Sequence, residues 1–420
     1  MNGLRPFLII LIVLVLAAPA SLGADDWPQF RGPHRDGISA ETGLLRQWPE
    51  GGPKVLWSLE MDQGYSAAAI HRGRVYFNDY DSSKFEWLVR AVTLAEGKEL
   101  WTFRETRRIR PNHGITRTVP AVDGKYVFSL DPKATFHALD AESGEELWRK
   151  NLIEEYGTQI PPWYVGQCPL IEDDRVLIAP GGKDVLAVAF DKATGEEIWR
   201  APNPEGWPMS HASLMPAKLG GVDQYLYNTL FGTHGIAAAD GRLLWHFRFK
   251  FNVSASPSPV ALDGERVYVT AAYESGGAMF RVQRDGDAFA ASEVFAHGPD
   301  EWNSEVHTPI VYRDHLFAVG KKKRGLFTCL DGDGHQVWTS EGHASFDLGG
   351  FILADGMFFI LDGKTGMLRL VEASTTAYKE LASAQILGGH DVWAPPALSD
   401  GKLVIRDLGR MVCLQVGEEG

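Results

Sequence analysis

Apolar and polar residues alternate along this chain in a hairpin pattern that recurs and ends in tryptophan. Each copy enters with alternating apolar residues, reverses at an Asp followed by small polar residues and Gly, and leaves through an apolar run. The glycine allows the positive φ of a tight turn at little steric cost. The pattern predicts the two outer strands of a repeated sheet at residues 91–101 (AVTLAEGKELW), 138–148 (ALDAESGEELW), 189–199 (AFDKATGEEIW), 236–245 (IAAADGRLLW) and 329–338 (CLDGDGHQVW).

A second pattern precedes the hairpin in each repeat: a small or polar residue, an apolar strand, a turn and a β-branched strand. Successive copies begin 42 to 52 residues apart, which is enough for four short antiparallel strands. Internal repeats of this length are typical of propellers and solenoids. The eight copies begin at Ser66, Thr118, Gln167, His211, Ser256, His307, Gly349 and Ala394.

The ends of the repeat array indicate how it closes. The eighth repeat supplies strands at 394–398, 402–406 and 411–416 but lacks its tryptophan strand, whereas residues 54–59 (KVLWSL) form an additional strand with Trp57. We therefore expect an all-β, eight-bladed propeller of four-stranded antiparallel blades over residues 53–416, with the N-terminal strand completing the C-terminal blade. Phe295 replaces the tryptophan in the fifth repeat, and segment 378–386 carries Leu381 and Ile386 in the seventh.

The first residues have the pattern of a secretory signal peptide. Arg5 precedes an apolar run at 7–16 and small residues near position 24. An uncleaved anchor is the alternative, although the run is short for a membrane span of ~20 residues. We expect residues 1–24 to be removed and the product to be exported to the periplasm or outside the cell, with no transmembrane span. Residues 25–52 are expected to form an arm that packs Trp27 and Phe30 on the propeller.

Charge and cysteine content narrow the classes of partner. The formal net charge of -13 argues against nucleic acid. Cys168, Cys329 and Cys413 lie in apolar segments of distant repeats, so we expect buried free thiols. The sequence has no C-x-x-C-H motif for covalent haem and no nucleophile or phosphate-loop motif. We expect a monomer.

The A-x-D-x-x-[ST]-G-E-x-x-W hairpin and the [ST]-x-P-x-V-x-x-G-x-x-V-Y-V segment before it resemble the pyrroloquinoline-quinone-like propeller family over nearly the whole mature chain. That family includes quinoprotein alcohol or sugar dehydrogenases and a non-enzymatic outer-membrane-protein assembly lipoprotein, so the resemblance implies a fold and leaves the function open. For the dehydrogenases it implies a quinone over a Trp, a disulfide between adjacent cysteines, calcium bound by Glu, Asn and Asp, and an Asp base. This chain has no adjacent cysteines, no motif that places the calcium ligands, and no lipid-bearing cysteine after its apolar run.

Residues just before each innermost strand of a propeller are expected to line the mouth of the central channel. Imidazoles with carboxylates suit a transition metal, and aromatic faces with an arginine suit a planar or sugar-like ligand. Polar walls that bind buried water are the structural alternative. The candidate ligand-binding residues are His113, Arg117, Gln167, His211, Glu305, His307, Asp347, His390, Asp391 and Trp393, of which His211, Glu305, His307, His390 and Asp391 are the expected focal cluster.

These observations favour an exported, non-catalytic propeller that binds a protein partner or a small polar ligand at the channel rim, with cell-envelope assembly as one role. We expect no resident cofactor and assign no catalytic residue. The alternative is an atypical alcohol or sugar dehydrogenase with pyrroloquinoline quinone and calcium. A third possibility is a metal-dependent enzyme in which the imidazoles of His211, His307 and His390 converge on one ion.

Overall fold

The computed structural model describes residues 26–320, 325–389 and 391–418. The expected signal peptide and the candidate His390 lie outside the described residues. Eight sheets of antiparallel strands follow one another along the chain, each ordered from an inner to an outer strand. The predicted eight-bladed, all-β propeller is therefore confirmed. In the described part of the chain, no helix is both long enough and apolar enough to cross a membrane.

The first four blades begin within four residues of the predicted starts. Blade 1 contains β3 (Ala69–His71), β4 (Arg74–Asp81), β5 (Glu86–Thr93) and β6 (Glu99–Thr106). Blade 2 contains β7 (Ala121–Val122), β8 (Tyr126–Leu130), β9 (Thr135–Asp140) and β10 (Glu146–Asn151), followed by the short helix α1 (Leu152–Tyr156). Blade 3 contains β11 (Leu170–Glu172), β12 (Arg175–Ile178), β13 (Val185–Asp191) and β14 (Glu197–Pro202). Blade 4 contains β15 (Met215–Leu219), β16 (Val222–Thr229), β17 (Gly232–Ala237) and β18 (Leu243–Arg248).

The other four blades follow the same order. Blade 5 contains β19 (Val260–Ala261), β20 (Arg266–Ala271), β21 (Gly276–Asp285) and β22 (Ala288–His297). Blade 6 contains β23 (Ile310–Tyr312), β24 (His315–Gly320), β25 (Leu326–Leu330) and β26 (Gln336–Thr339). Blade 7 contains β27 (Phe351–Ala354), β28 (Met357–Leu361), β29 (Met367–Glu372) and β30 (Glu380–Gln385). Blade 8 contains β31 (Ala397–Ser399), β32 (Lys402–Arg406), β33 (Arg410–Gln415) and, from the other end of the chain, β2 (Val55–Glu60).

The N-terminal strand closes the ring, as the sequence predicts. β2 pairs antiparallel with β33, and Trp57 lies opposite Cys413. The pairing covers the outer edge of β33, which would otherwise expose unpaired backbone groups. Blade 8 is thus built from both ends of the propeller.

Hairpin tryptophans pack one blade against the next around most of the ring. Gly144 in the turn of blade 2 has a φ of +75°, and a Cβ added there would lie 2.5 Å from Cε3 of Trp101 in blade 1. The indole N–H of Trp101 also donates to the carbonyl of Ala141 in the same turn, at 3.1 Å. The glycine therefore makes the turn and admits the neighbouring indole. Equivalent glycine and aromatic pairs are Gly97 with Trp57, Gly195 with Trp148, Gly241 with Trp199 and Gly334 with Phe295.

The two repeats without tryptophan differ from each other. Phe295 pairs with Met279 next to the register shift of β22. Trp338 pairs with Cys329 at the equivalent position of blade 6. In blade 7 the corresponding residue is Ala382, opposite Leu370. Leu381 and Ile386, which the sequence suggested as replacements, have neighbouring positions, and both pack with Ala382 against the hydrophobic core as partly buried side chains.

The arm before β2 runs along the inner strands of several blades. Trp27 exchanges backbone hydrogen bonds with Ile70 of blade 1, at 2.8 and 3.0 Å, and its indole is buried. Pro28 accepts from the amide of Val122 in blade 2 at 2.8 Å. Farther along, β1 (Ile38–Ser39) pairs parallel to β27 of blade 7. Because the inner strands surround the central channel, the arm lies inside it.

Two buried arginines of the arm connect distant blades. The guanidinium of Arg31 donates to the carbonyls of Thr308 and Pro309 before β23 of blade 6, at 2.7 and 2.9 Å. Arg35 is fully buried and donates to the carbonyl of Pro169 before β11 of blade 3, at 2.6 Å. The arm therefore crosses the channel and closes it as a passage.

Candidate functional site

A cavity of about 900 Å³ opens at the end of the channel where the chain enters each innermost strand. We call the segments before these strands the leading loops. All eight of them contribute to its wall, and Phe30 of the arm lies at its inner end. In blade order, one side chain from each leading loop is Tyr65, Arg117, Trp163, His211, Ser254, Glu305, Asp347 and Trp393.

Two stacked aromatic pairs form opposite parts of this wall. Tyr65 and Trp393 belong to blades 1 and 8, and their rings are 5.1 Å apart and inclined by 13°. Trp163 precedes blade 3 and stacks on Tyr273 of blade 5 at 6.2 Å and 16°. Gly114 lies against Tyr65, where a Cβ would approach the ring to 2.7 Å. Flat apolar faces of this kind suit a ring-shaped ligand.

The backbone that presents these side chains adopts unusual angles. Residues other than glycine rarely have a positive φ, and such residues concentrate at ligand clamps. Trp163, Tyr273 and Asp347 have φ values of +63°, +55° and +49°, and all three line the cavity. The side-chain amide of Asn252 donates to the carbonyls of Tyr273 and Glu274, at 2.9 Å each, and so stabilises one of these turns.

Arg117 supplies a positive charge on the side of blade 2. Its guanidinium lies 5.6 Å from the centre of the Tyr65 ring and donates to the carbonyl of Asn112 at 3.2 Å. In the described part of the chain its partners are carbonyls and this ring, without an ion pair to a carboxylate. Burial lowers the pKa of Arg117 to about 10, so the side chain is still cationic at neutral pH.

Two carboxylates lie on the other side of the cavity. Glu305 and Asp347 come from the leading loops of blades 6 and 7, and blade 6 faces blade 2 across an eight-membered ring. Glu305 accepts a hydrogen bond from the hydroxyl of Tyr273. Burial of the phenol, followed by this carboxylate, raises the pKa of Tyr273 to about 12. Arg117 thus faces carboxylates across the cavity, where Asp362 and Lys364 of blade 7 also line the wall.

The two described histidines of the expected focal cluster connect neighbouring loops. Nε2 of His211 donates to the carbonyl of Pro162 at 2.7 Å, and Nδ1 lies 3.2 Å from the Ser254 hydroxyl. Nε2 of His307 donates to the carbonyl of Leu348 at 2.8 Å. Burial lowers the pKa of both imidazoles to about 4, so both are neutral at pH 7. Their Nε2 atoms therefore hold loop carbonyls in place.

The remaining candidates occupy different settings. His113 lines the cavity with an exposed side chain, and Asp391 accepts from the Tyr65 hydroxyl at 3.4 Å. Gln167 lies behind the wall, fully buried, where its amide bonds both the N–H and the carbonyl of Ala179. His390 lies outside the described residues.

The sequence reasoning omitted Phe30, Tyr65 and Tyr273 from the site. Tyr65 immediately precedes Ser66, so the rule that selected the other leading-loop residues would have included it. Tyr273 lies in the turn between β20 and β21, where strand periodicity gives no direction for a side chain. Phe30 belongs to an arm without periodicity, and no signal in the sequence places it at the cavity.

Potential metal ligands among the described residues come together at one place, which is not the cavity. Within residues 26–320, 325–389 and 391–418, one group of three potential metal ligands has its donor atoms within 4.8 Å of one another: Glu105, His137 and Glu146. This group lies between blades 1 and 2, outside the cavity. Arg107 and Arg149 approach Glu105 to 2.9 and 2.8 Å, so its negative charge is already balanced by cations.

The cavity also lacks the donors that the quinoprotein resemblance implies. Cys168 lines the wall as a buried free thiol, and the other two cysteines, also buried and free, belong to blades 6 and 8. Glu305 and Asp347 do not join a third described ligand in a metal-binding group. The residues present therefore do not fit a quinone held by adjacent cysteines and calcium.

Comparison with known sequences identifies two kinds of relative. The family described as outer membrane protein assembly factor BamB matches residues 84–246 and 232–418. The quinohemoprotein alcohol dehydrogenase ADH IIB of Pseudomonas putida is 27% identical over 187 residues, 41% of this chain and 26% of that protein. The assembly factor BamB of Alkalilimnicola ehrlichii is 27% identical over 139 residues, 33% of this chain and 32% of that protein. The chain thus spans about a quarter to a third of these relatives.

Solved structures give the same two kinds of neighbour. A quinohemoprotein alcohol dehydrogenase from Comamonas testosteroni superposes with a TM-score of 0.65 and 13% identity, covering 94% of this chain and 81% of that one. BamB from Moraxella catarrhalis superposes with a TM-score of 0.60 and 14% identity, covering 87% and 98%. At 13 and 14% identity, these superpositions show a shared fold and do not establish a shared function.

Proposed function

The chain belongs to the family of the outer membrane protein assembly factor BamB, and from this premise we propose that it is an exported, non-catalytic propeller that binds a small polar ring-shaped ligand in the leading-loop cavity. Export is supported by the signal-peptide pattern of residues 1–24. Binding is supported by a cavity of about 900 Å³, a size typical of small-molecule sites.

One observation carries this proposal: two aromatic residues that line the cavity, Trp163 and Tyr273, are held at positive φ. The arm closes the channel behind them. A closed end allows a ligand to be surrounded, whereas an open channel would let water and solute pass. The turns of Trp163 and Tyr273 are energetically unfavourable for bulky side chains. Their presence together at one cavity is expected where geometry serves binding.

The chemistry of the wall supports a binding role without catalysis. A general base needs a pKa near the working pH and access to the ligand. His211 and His307 have pKa values of about 4, and each uses its Nε2 hydrogen in a loop contact. Cys168 is buried, and burial raises the pKa of its thiol, so a nucleophilic thiolate is disfavoured.

Isothermal titration of the purified protein tests this proposal. The titrants are monosaccharides, sugar acids, aromatic acids, and pyrroloquinoline quinone with calcium. We expect saturable one-to-one binding of a ring compound, weakened at least about tenfold in Trp393→Ala, because loss of a stacked aromatic face removes roughly 1–3 kcal/mol of binding free energy. Phe231→Ala is the control, since this exposed aromatic lies in the turn between β16 and β17 and is not among the residues that line the cavity.

Two results would contradict the proposal. Absence of binding by every titrant up to about 10 mM, beyond the range of useful small-molecule affinity, would remove the ligand-binding role. Stoichiometric binding of the quinone with reduction of an artificial electron acceptor by an alcohol or aldose would establish the dehydrogenase alternative instead.

A further inference from the structure

We infer that the ligand of the leading-loop cavity is a small ring carboxylate, whose carboxylate binds Arg117 and whose hydroxyl or amine donors face Glu305 and Asp347. This inference rests on the proposed function and names its ligand class.

Arg117 has a positive charge and N–H donors with which it can bind an anion. Its guanidinium is planar and carries five N–H donors, of which the described protein carbonyls use only a part. The buried guanidinium of Arg31 donates to four carbonyls, whereas that of Arg117 donates to two, at 3.2 and 3.5 Å, and lines the cavity. Donors of Arg117 therefore face the space in which a ligand would lie. A carboxylate accepts two parallel hydrogen bonds from such a group.

The position of Arg117 also suits a ring attached to the carboxylate. The guanidinium lies against Tyr65, and Tyr65 stacks on Trp393. A ligand that binds the guanidinium with its carboxylate therefore has its ring beside these aromatic faces. Sugar rings and aromatic rings both pack on such faces through apolar C–H or π surfaces.

The wall opposite Arg117 is rich in carboxylates. Glu305, Asp347 and Asp362 line it, together with the cation Lys364. Hydrogen-bond donors on the far end of the ligand are attracted by these carboxylates. A ring that carries hydroxyl or amine groups opposite its carboxylate therefore fits this wall.

Two matched sets of probes separate charge from ring type. The sugar set is D-glucuronate, D-glucose and D-glucosamine, and the aromatic set is benzoate, benzamide and benzylamine. We expect the carboxylate of one set to bind at least about tenfold more tightly than its neutral and cationic counterparts, a difference of about 1.4 kcal/mol. The set that binds identifies the source of the ring.

Variants at one arginine test the assignment. Arg117→Gln should remove the preference for the carboxylate while leaving weak binding of the neutral ring, and Arg117→Lys should retain part of the preference because it keeps the charge. Arg104→Gln is the control, since Arg104 lies on the outer strand β6 and is half-exposed. The thermal unfolding midpoint of each variant shows whether it is folded.

The outcomes distinguish the ligand class from the function. Equal binding of neutral and anionic probes would overturn the ligand class and leave the proposed binding role intact. A carboxylate preference that persists in Arg117→Gln would overturn the assignment to this arginine. Failure of all six probes to bind at about 10 mM would overturn both the ligand class and the proposed function.

Discussion

At the scale of single residues, His137 has a carboxylate at each ring nitrogen. Nδ1 lies 2.8 Å from Glu146, and Nε2 lies 3.4 Å from Glu105 and 3.9 Å from Asp131. Burial alone would lower the pKa of His137, but the surrounding carboxylates outweigh it and raise the pKa above the ordinary value. Imidazolium is thus the form that best satisfies both contacts, and it links blade 1 to blade 2.

This raised pKa predicts a pH effect of defined sign. The stabilisation is fully present below the unfolded pKa of about 6.5 and is lost as pH rises through the folded pKa. Urea unfolding between pH 6 and 9 should therefore show wild type losing more stability than His137→Gln. If the difference in unfolding free energy between wild type and His137→Gln does not change with pH, the raised pKa of His137 is contradicted.

The equivalent position in blade 4 provides the control. His234 precedes the residue opposite Trp245, as His137 precedes the residue opposite Trp148. Burial, together with the neighbouring His246, lowers the pKa of His234 well below its ordinary value. Its contribution is present above pH of about 6.5 and is lost as pH falls through the folded pKa. Wild type should therefore lose more stability than His234→Gln as the pH falls below about 6.5, the opposite of the effect at His137.

At the scale of the elements, the hairpin glycine has two separable effects. Gly144→Ala places a Cβ 2.5 Å from Trp101 at a φ of +75°, whereas Gly73→Ala has a similar φ of +73° and nothing within 4 Å. Both should lose roughly 1–2 kcal/mol from the left-handed backbone. Gly144→Ala should lose a further 1–3 kcal/mol, roughly, from overpacking. Equal losses in urea unfolding would show that the indole contact adds nothing.

This contact also marks the limit of sequence reasoning at the element scale. The repeats, their strands and the closure by β2 follow from periodicity, since each strand alternates in its own register. The contact of Trp101 with Gly144 joins different repeats, and periodicity within one repeat contains no information about it. In blade 7 the corresponding position is that of Ala382, whereas the sequence pattern suggested Leu381 and Ile386, because alternation alone does not fix which residue lies beside the register shift.

At the scale of the whole molecule, the topology of the propeller determines which residues meet in the cavity. The leading loops converge because every blade begins at the same end of the channel, so Arg117, Glu305 and Trp393 could be selected from the sequence alone. Their directions could not: Gln167 has the same position in its repeat, yet its amide bonds Ala179 behind the wall. The sequence did not predict that the arm closes the channel, because the arm is held by irregular hydrogen bonds from its backbone and its guanidinium groups.

The arm should act as one cooperative unit across the ring, and Arg31→Ala tests this. Removing the guanidinium leaves the carbonyls of Thr308 and Pro309 without their charged donor, which costs about 1.5–3 kcal/mol per such bond. If the arm is a unit, the amide of Ile70, which donates to Trp27, should exchange its hydrogen at least about tenfold faster. The amide of Ala237, bonded to Arg242 in blade 4 and away from the arm, should be unchanged.

Arg46→Ala provides the matched control in the same arm, because Arg46 is exposed and contacts Asp355 at the surface. It should leave exchange at Ile70 as in wild type. Faster exchange confined to residues next to Arg31, with Ile70 still protected, would mean that each arm contact forms independently. Faster exchange at Ile70 would instead mean that blades 1 and 6 are coupled through the channel, and that the closed end of the cavity depends on the whole arm.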